Sequence, residues 1–134
     1  MNSFARLISL NQAPGSARQV LAFKNKETIL GREKGCKIRI PSNAISRQHC
    51  RLGVKNDMIV VEDLGSSNGT FVNEQRISEM CYLKPGDILR VGPFRFLVHY
   101  QLSDEAINHL IEILTISPTS PDESVDVELL DDAG

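Results

Sequence analysis

One stretch restricts this chain more than any other: Glu62-Asp63-Leu64-Gly65-Ser66-Ser67-Asn68-Gly69-Thr70-Phe71-Val72-Asn73. The apolar run Met58-Ile59-Val60-Val61 leads into it and Thr70-Phe71-Val72 leaves it, both with the β-branched and aromatic chemistry of strands. Between them Gly65 and Gly69 permit positive φ, and Asn68 tolerates the left-handed region and bonds locally. The segment reads as two strands joined by a tightly turned loop with a short amide at its tip. A rigid scaffold of that kind often presents recognition residues. By itself, Ser-Asn-Gly fits an idle β-turn equally well.

The rest of the chain repeats the theme of short strands separated by turns. Arg6-Leu7-Ile8-Ser9-Leu10 is the first, closed by the turn residues 11–16, and Arg18 to Phe23 is the second. Lys24-Asn25-Lys26 turns into Glu27-Thr28-Ile29-Leu30, and Lys37-Ile38-Arg39-Ile40 alternates charged and apolar residues as a half-buried strand does. Cys50 to Val54 and Met58 to Val61 form a hairpin across Lys55-Asn56-Asp57. Short strands follow at Phe71-Val72, Arg76-Ile77, Tyr82-Leu83 and Asp87 to Val91, and Gly92-Pro93 turns into Phe94 to Tyr100. Many short strands without βαβ alternation predict an all-β, antiparallel sandwich. Phe23, Phe71, Phe94 and Phe96 are assigned to its core, and Cys36 and Cys50 to small buried positions.

Character changes at Ser103. This serine suits an N-cap, Asp104 and Glu105 suit a first helical turn, and Ile107, Leu110, Ile111 and Leu114 recur at helical spacing. The expected organisation is a β-sandwich over 1–102, an amphipathic helix over 103–116 and an acidic, disordered tail over 117–134. Charge divides the same way. All 15 Lys and Arg lie within residues 1–102 against 8 acids, a balance of +7, whereas residues 103–134 carry 9 acids and no Lys or Arg. A basic body suggests an anionic ligand. Because the basic residues are spread along the chain without a dense cluster or interleaved aromatics, nucleic acid is not the expected partner.

Gly31-Arg32 after Thr28-Ile29-Leu30, then Ser46-Arg47-Gln48-His49, then Gly65-Ser66-Ser67-Asn68-Gly69-Thr70-Phe71-Val72-Asn73, in that order and spacing, resemble the forkhead-associated (FHA) domain. Leu83-Lys84-Pro85-Gly86-Asp87-Ile88-Leu89-Arg90-Val91-Gly92 looks like that family's late turn and strand. The resemblance covers about residues 5 to 101. It implies a twisted sandwich of about eleven strands and a pocket for phosphothreonine peptides. In that family the Gly-Arg arginine, here Arg32, grips the phosphate, and the motif serine, here Ser46, contacts it. Arg47 stands where a further phosphate or peptide contact is often made. Ser67 corresponds to a hydroxyl residue that touches phosphate, and Asn68 to an asparagine that bonds the ligand backbone. Gly31, His49, Gly65, Gly69 and Thr70 are implied as structural support. Ala44 stands where some members carry a cation that selects an acid three residues after the phosphothreonine.

These residue types suit the chemistry. A phosphothreonine brings close to two negative charges and three acceptor oxygens. A guanidinium meets them bidentately, which an ammonium cannot do. The expected function is an adaptor in Ser/Thr kinase signalling, with a phosphorylated protein as partner and a kinase upstream. The rival is a phosphate-independent scaffold or secretion-apparatus subunit on the same fold. Enzyme chemistry is not expected, since a lone Ser-x-x-His has no evident orienting acid. Metal ligation by His49, Cys50 and Cys36 has no recognisable spacing, and no cofactor is implied. Three cysteines without paired spacing, no apolar leader and no run of 18 apolar residues point to a reduced, cytoplasmic protein without a membrane span. Thr119-Ser120-Pro121-Asp122 places an acid three residues after a threonine, which makes Thr119 a candidate regulatory phosphosite and the tail a candidate for self-association.

Overall fold

A computed structural model describes residues 4–11, 19–24 and 26–115. The expected turn over 12–16, Arg18 at the head of the second strand, Asn25, Ile116 and the 117–134 tail with Thr119 lie outside the described residues. Among the described residues there are eleven strands: β1 Ala5–Ser9, β2 Val20–Phe23, β3 Thr28–Gly31, β4 Ile38–Arg39, β5 Cys50–Lys55, β6 Met58–Asp63, β7 Thr70–Val72, β8 Gln75–Arg76, β9 Cys81–Leu83, β10 Ile88–Val91 and β11 Phe94–His99. They form a six-stranded sheet in the order β2-β1-β11-β10-β7-β8 and a five-stranded sheet in the order β4-β3-β5-β6-β9. The expected all-β sandwich is what the chain adopts. One pairing departs from the antiparallel rule, because β4 runs parallel to β3, with Leu30 opposite Ile38 and Gly31 opposite Arg39.

Turn chemistry sets the register. In the β5–β6 hairpin Lys55 pairs with Met58, so Asn56 and Asp57 alone make the turn, at φ 54° and 62°. Two positive-φ residues in succession match the right-handed twist of the flanking strands, and Asn and Asp accept that region at low cost. The β7–β8 turn at Asn73 and Glu74 repeats the device, at φ 51° and 69°. Alternation then places Leu7, Leu89, Phe96 and Val98 of one sheet against Leu30, Leu52, Ile59, Val61 and Leu83 of the other, all essentially sealed from water. Tyr100 stitches the layers through its hydroxyl, which donates to the Leu83 carbonyl and accepts from the Ile59 amide.

One side-chain assignment differs from expectation. Phe71 is not in the core: it lies half-buried on the outer face of the six-stranded sheet, with the Arg90 guanidinium 3.7 Å from its ring centre. Its strand-mate Thr70 takes the inner position, as does Leu89 of the neighbouring β10, because β7 enters the sheet with Thr70 inward. The helix, α1 (Asp104–Thr115), forms where predicted, with Ser103 Oγ accepting the Ala106 amide at 3.0 Å and donating to Asp57 Oδ2. Its burial is slight. Ala106 is sealed, yet Ile107 is 41% and Ile111 54% exposed. Because the helix docks on the Asn56–Asp57 turn, it sits at one pole of the sandwich, while the β6–β7 loop lies at the other. No helix among the described residues is long and apolar enough to cross a membrane.

Candidate functional site

The pole away from α1 is built by three loops: β3–β4, β4–β5 and β6–β7. Arg32 is the first residue past β3, and its amide donates to the Ser46 carbonyl at 2.9 Å while the Glu33 amide reaches the Arg47 carbonyl. These bonds lay the β4–β5 loop directly across the end of β3. The contact is so close that a Cβ on Gly31 would stand 2.1 Å from the Arg47 carbonyl oxygen, which also accepts the Cys36 thiol. Only glycine fits there.

His49 is the strut beneath. It is fully buried; its Nδ1 accepts the Ser46 amide at 3.1 Å and its Nε2 lies 2.9 Å from the Gly69 carbonyl. Because Nδ1 accepts, Nε2 carries the proton, and the neutral ring joins the β4–β5 loop to the β6–β7 loop. The Gly69 carbonyl also takes the Gly92 amide, which ties in the β10–β11 turn. Gly69 itself has φ 88°.

Asp63 supports the β6–β7 loop from within. One carboxylate oxygen accepts the Gly65 and Ser66 amides, the other the Ser66 and Thr70 hydroxyls. Burial alone would raise its pKa, but these four donors outweigh it and hold the carboxyl below its ordinary 3.8. Ser66 passes the order on by accepting the Gly69 amide at 3.0 Å. Neither Asp63 nor Ser66 is among the residues singled out from sequence. An Asp followed two residues later by Gly is an Asx-turn signal, and it was legible.

On this frame Arg32, Ser46, Arg47, Ser67 and Asn68 line one shallow depression, together with Asn43, Ala44 and Gln48. Arg32, Ser46 and Asn68 are each half committed and half free. Arg32 Nε donates to the Ile45 carbonyl at 2.9 Å, which aims the guanidinium and leaves both terminal nitrogens without a protein partner among the described residues. Ser46 Oγ accepts the Ser67 amide at 3.1 Å, so its own hydrogen is free to donate outward. Asn68 Nδ2 donates to the Ala44 carbonyl at 2.8 Å, leaving Oδ1 as an acceptor. Charge follows the same logic. Arg51, Lys84 and Arg90 each have a carboxylate partner within 3.5 Å, whereas Arg32 and Arg47 have none among the described residues. The neighbouring acid Glu33 is engaged by the Gln48 amide. The arrangement can receive an anion and bond an extended backbone beside it.

This two-sheet fold with its three-loop pole is that of a protein-interaction module, and the chain contains an FHA domain, whose family model matches residues 28–92. Among characterised proteins it is similar to the FHA domain-containing protein FhaA of Mycobacterium tuberculosis, 30% identical over 91 residues, which are 68% of this chain and 17% of FhaA. The glycogen accumulation regulator GarA of the same species is 33% identical over 68% of this chain and 55% of its own length. Human E3 ubiquitin-protein ligase CHFR is 32% identical over 64% of this chain and 13% of its own. The chain thus spans only a minor part of FhaA and CHFR and about half of GarA. Among solved structures, one from a study of phosphothreonine-dependent FHA domain interactions superposes with a TM-score of 0.64 at 25% identity, covering 74% of this chain and 98% of that one. Mycobacterium tuberculosis EmbR in complex with a low-affinity phosphopeptide superposes at 0.62 with 26% identity, over 75% of this chain and 25% of EmbR.

Proposed function

We propose that this chain binds peptides phosphorylated on threonine and serves as an adaptor that reads the output of a Ser/Thr kinase. The observation that carries the reading is the pair of guanidinium groups without carboxylate partners, Arg32 and Arg47, facing the free hydroxyls of Ser46 and Ser67 in one depression. An unpaired cation cluster in a polar recess is stabilised by an incoming anion, and a phosphate dianion supplies the oxygens for both terminal nitrogens of Arg32. Asn68 then takes the role of peptide reader, its Oδ1 accepting a backbone amide of the ligand. Gly31, His49, Gly65, Gly69 and Thr70 support these groups without touching the ligand. Likeness to structures solved with phosphopeptide or described as phosphothreonine-dependent points the same way. The three free thiols suit a reducing, cytoplasmic setting.

The test is calorimetric titration of a phosphothreonine peptide and its unphosphorylated twin, repeated on Arg32→Ala and Asn68→Ala. Loss of one partner of a partly desolvated charge pair costs about 2–5 kcal/mol, so Arg32→Ala should weaken the phosphopeptide at least about 30-fold. Asn68→Ala should weaken both peptides, Arg32→Ala only the phosphorylated one. Equal affinity for the twin peptides in the wild type would defeat the proposal.

A further inference from the structure

The outer face of the six-stranded sheet is ordered in rows that run across the strands. Val20, Ile8, Leu97 and Ile88 pair successively in register and form one apolar row over β2, β1, β11 and β10. Val20 is 49% exposed and the other three are half-buried. Two residues along on one side runs the row Arg95, Arg90, Phe71, Arg76, again in register. On the other side Arg6 stands opposite His99. Arg90 is spoken for, pairing with Glu74 and stacking on Phe71. Arg6, Arg76 and Arg95 have no carboxylate partner among the described residues. An apolar stripe bracketed by unpaired arginines is a docking surface for a segment that is both aliphatic and acidic.

The chain contains such a segment. Residues 122–132 hold six of its acids, with Val125, Val127, Leu129 and Leu130 set among them. We propose that this segment docks in cis on the outer face of the six-stranded sheet. Charge complementarity is the argument: six negative charges meet the exposed Arg6 and Arg95 on either side of the apolar row, with Arg76, whose guanidinium lies over Phe71, beyond them. The tether permits this face. β11 ends at His99, on the face itself, and four residues later Ser103 starts α1. The helix is about 18 Å long and rests His109 on Asn56 and Tyr82 of the five-stranded sheet, and residues 116–121 add a reach of about 20 Å when extended. The loop pole lies at the opposite end of the sandwich from α1. Tethering at this length gives an effective concentration on the order of mM, so weak contacts suffice.

The experiment uses the full chain carrying Cys81→Ser and Ser124→Cys with a nitroxide at position 124, since Cys36 and Cys50 are buried. Paramagnetic broadening of backbone amides in β1, β10 and β11 is expected at low salt. It should vanish in about 1 M salt, where the screening length is about 3 Å, and in the exposed double variant Arg6→Glu/Arg95→Glu. Broadening confined to the Arg32, Ser46 and Asn68 loops would overturn the proposal, as would none at all. Equal broadening of an untagged, isotopically labelled chain mixed with the tagged one would make a second copy the occupant and overturn docking in cis. A short oligonucleotide duplex that removes the broadening at micromolar concentration would assign the face to nucleic acid instead.

Discussion

Gly31→Ala should damage both the stability and the site, and the size of the effect follows from one contact. The added Cβ would stand 2.1 Å from the Arg47 carbonyl oxygen, 2.8 Å from its carbon and 2.9 Å from Cys36 Sγ. Restoring ordinary van der Waals distance, which begins near 3.4 Å, needs the loop backbone to retreat by about 1.3 Å. Backbone cannot yield like a side-chain tip. The retreat would stretch the Glu33 amide bond to Arg47, already 3.3 Å, and strain the Arg32 amide bond to Ser46. Overpacking of this kind costs about 1–3 kcal/mol. For a sandwich of roughly 100 residues that is a melting-temperature drop of about 4 °C or more. Because Arg32, Ser46 and Arg47 are carried by the displaced segments, phosphopeptide affinity should fall further than stability alone requires. Gly35→Ala is the matched control, in the same β3–β4 loop, where an added Cβ meets nothing within 4 Å. Thermal melts by circular dichroism and peptide titration below the melting range measure both effects. If Gly31→Ala and Gly35→Ala melt together and bind alike, the close approach of Arg47 is not what requires glycine at position 31.

His49→Ala should lower the melting temperature by removing a buried link between two loops, at a cost of about 1–3 kcal/mol, with binding lost in proportion to unfolding; wild-type stability with no binding would make His49 a direct ligand contact. Asp63 contributes a pH-dependent term with a definite sign. Its folded pKa lies below the unfolded value of 3.8, so its stabilisation is present above that value and is lost as pH falls through the folded pKa. The melting gap between wild type and Asp63→Asn should therefore be constant near neutrality and narrow below about pH 4; parallel profiles throughout would show that the Ser66 and Thr70 bonds do not favour the charged form.

How far could the sequence alone go? Alternation and turn residues determined the strands, because period-two patterning and positive-φ chemistry are local properties: the hairpin around Asn56-Asp57 and the inward Phe23 and Phe96 were legible at once, although Lys55, read as part of the turn, pairs within β5. The order Gly31-Arg32, Ser46 to His49, Gly65 to Asn73 likewise marked the five residues that come to line one depression. Tertiary structure decided what local signals do not encode. Phe71 has strand chemistry whether it faces in or out, and only the entry of β7 with Thr70 inward put it outside. Asp63 carries an Asx-turn signal toward Gly65, but the fourth donor, the Thr70 hydroxyl, is brought to it only by the way the loop closes onto β7. The rows on the outer sheet face join residues from all six strands of that sheet, which sequence spacing scatters. A count of charges along the chain therefore showed a diffuse +7. Strand pairing alone gathers part of it into rows, since register, not sequence distance, sets which side chains are neighbours.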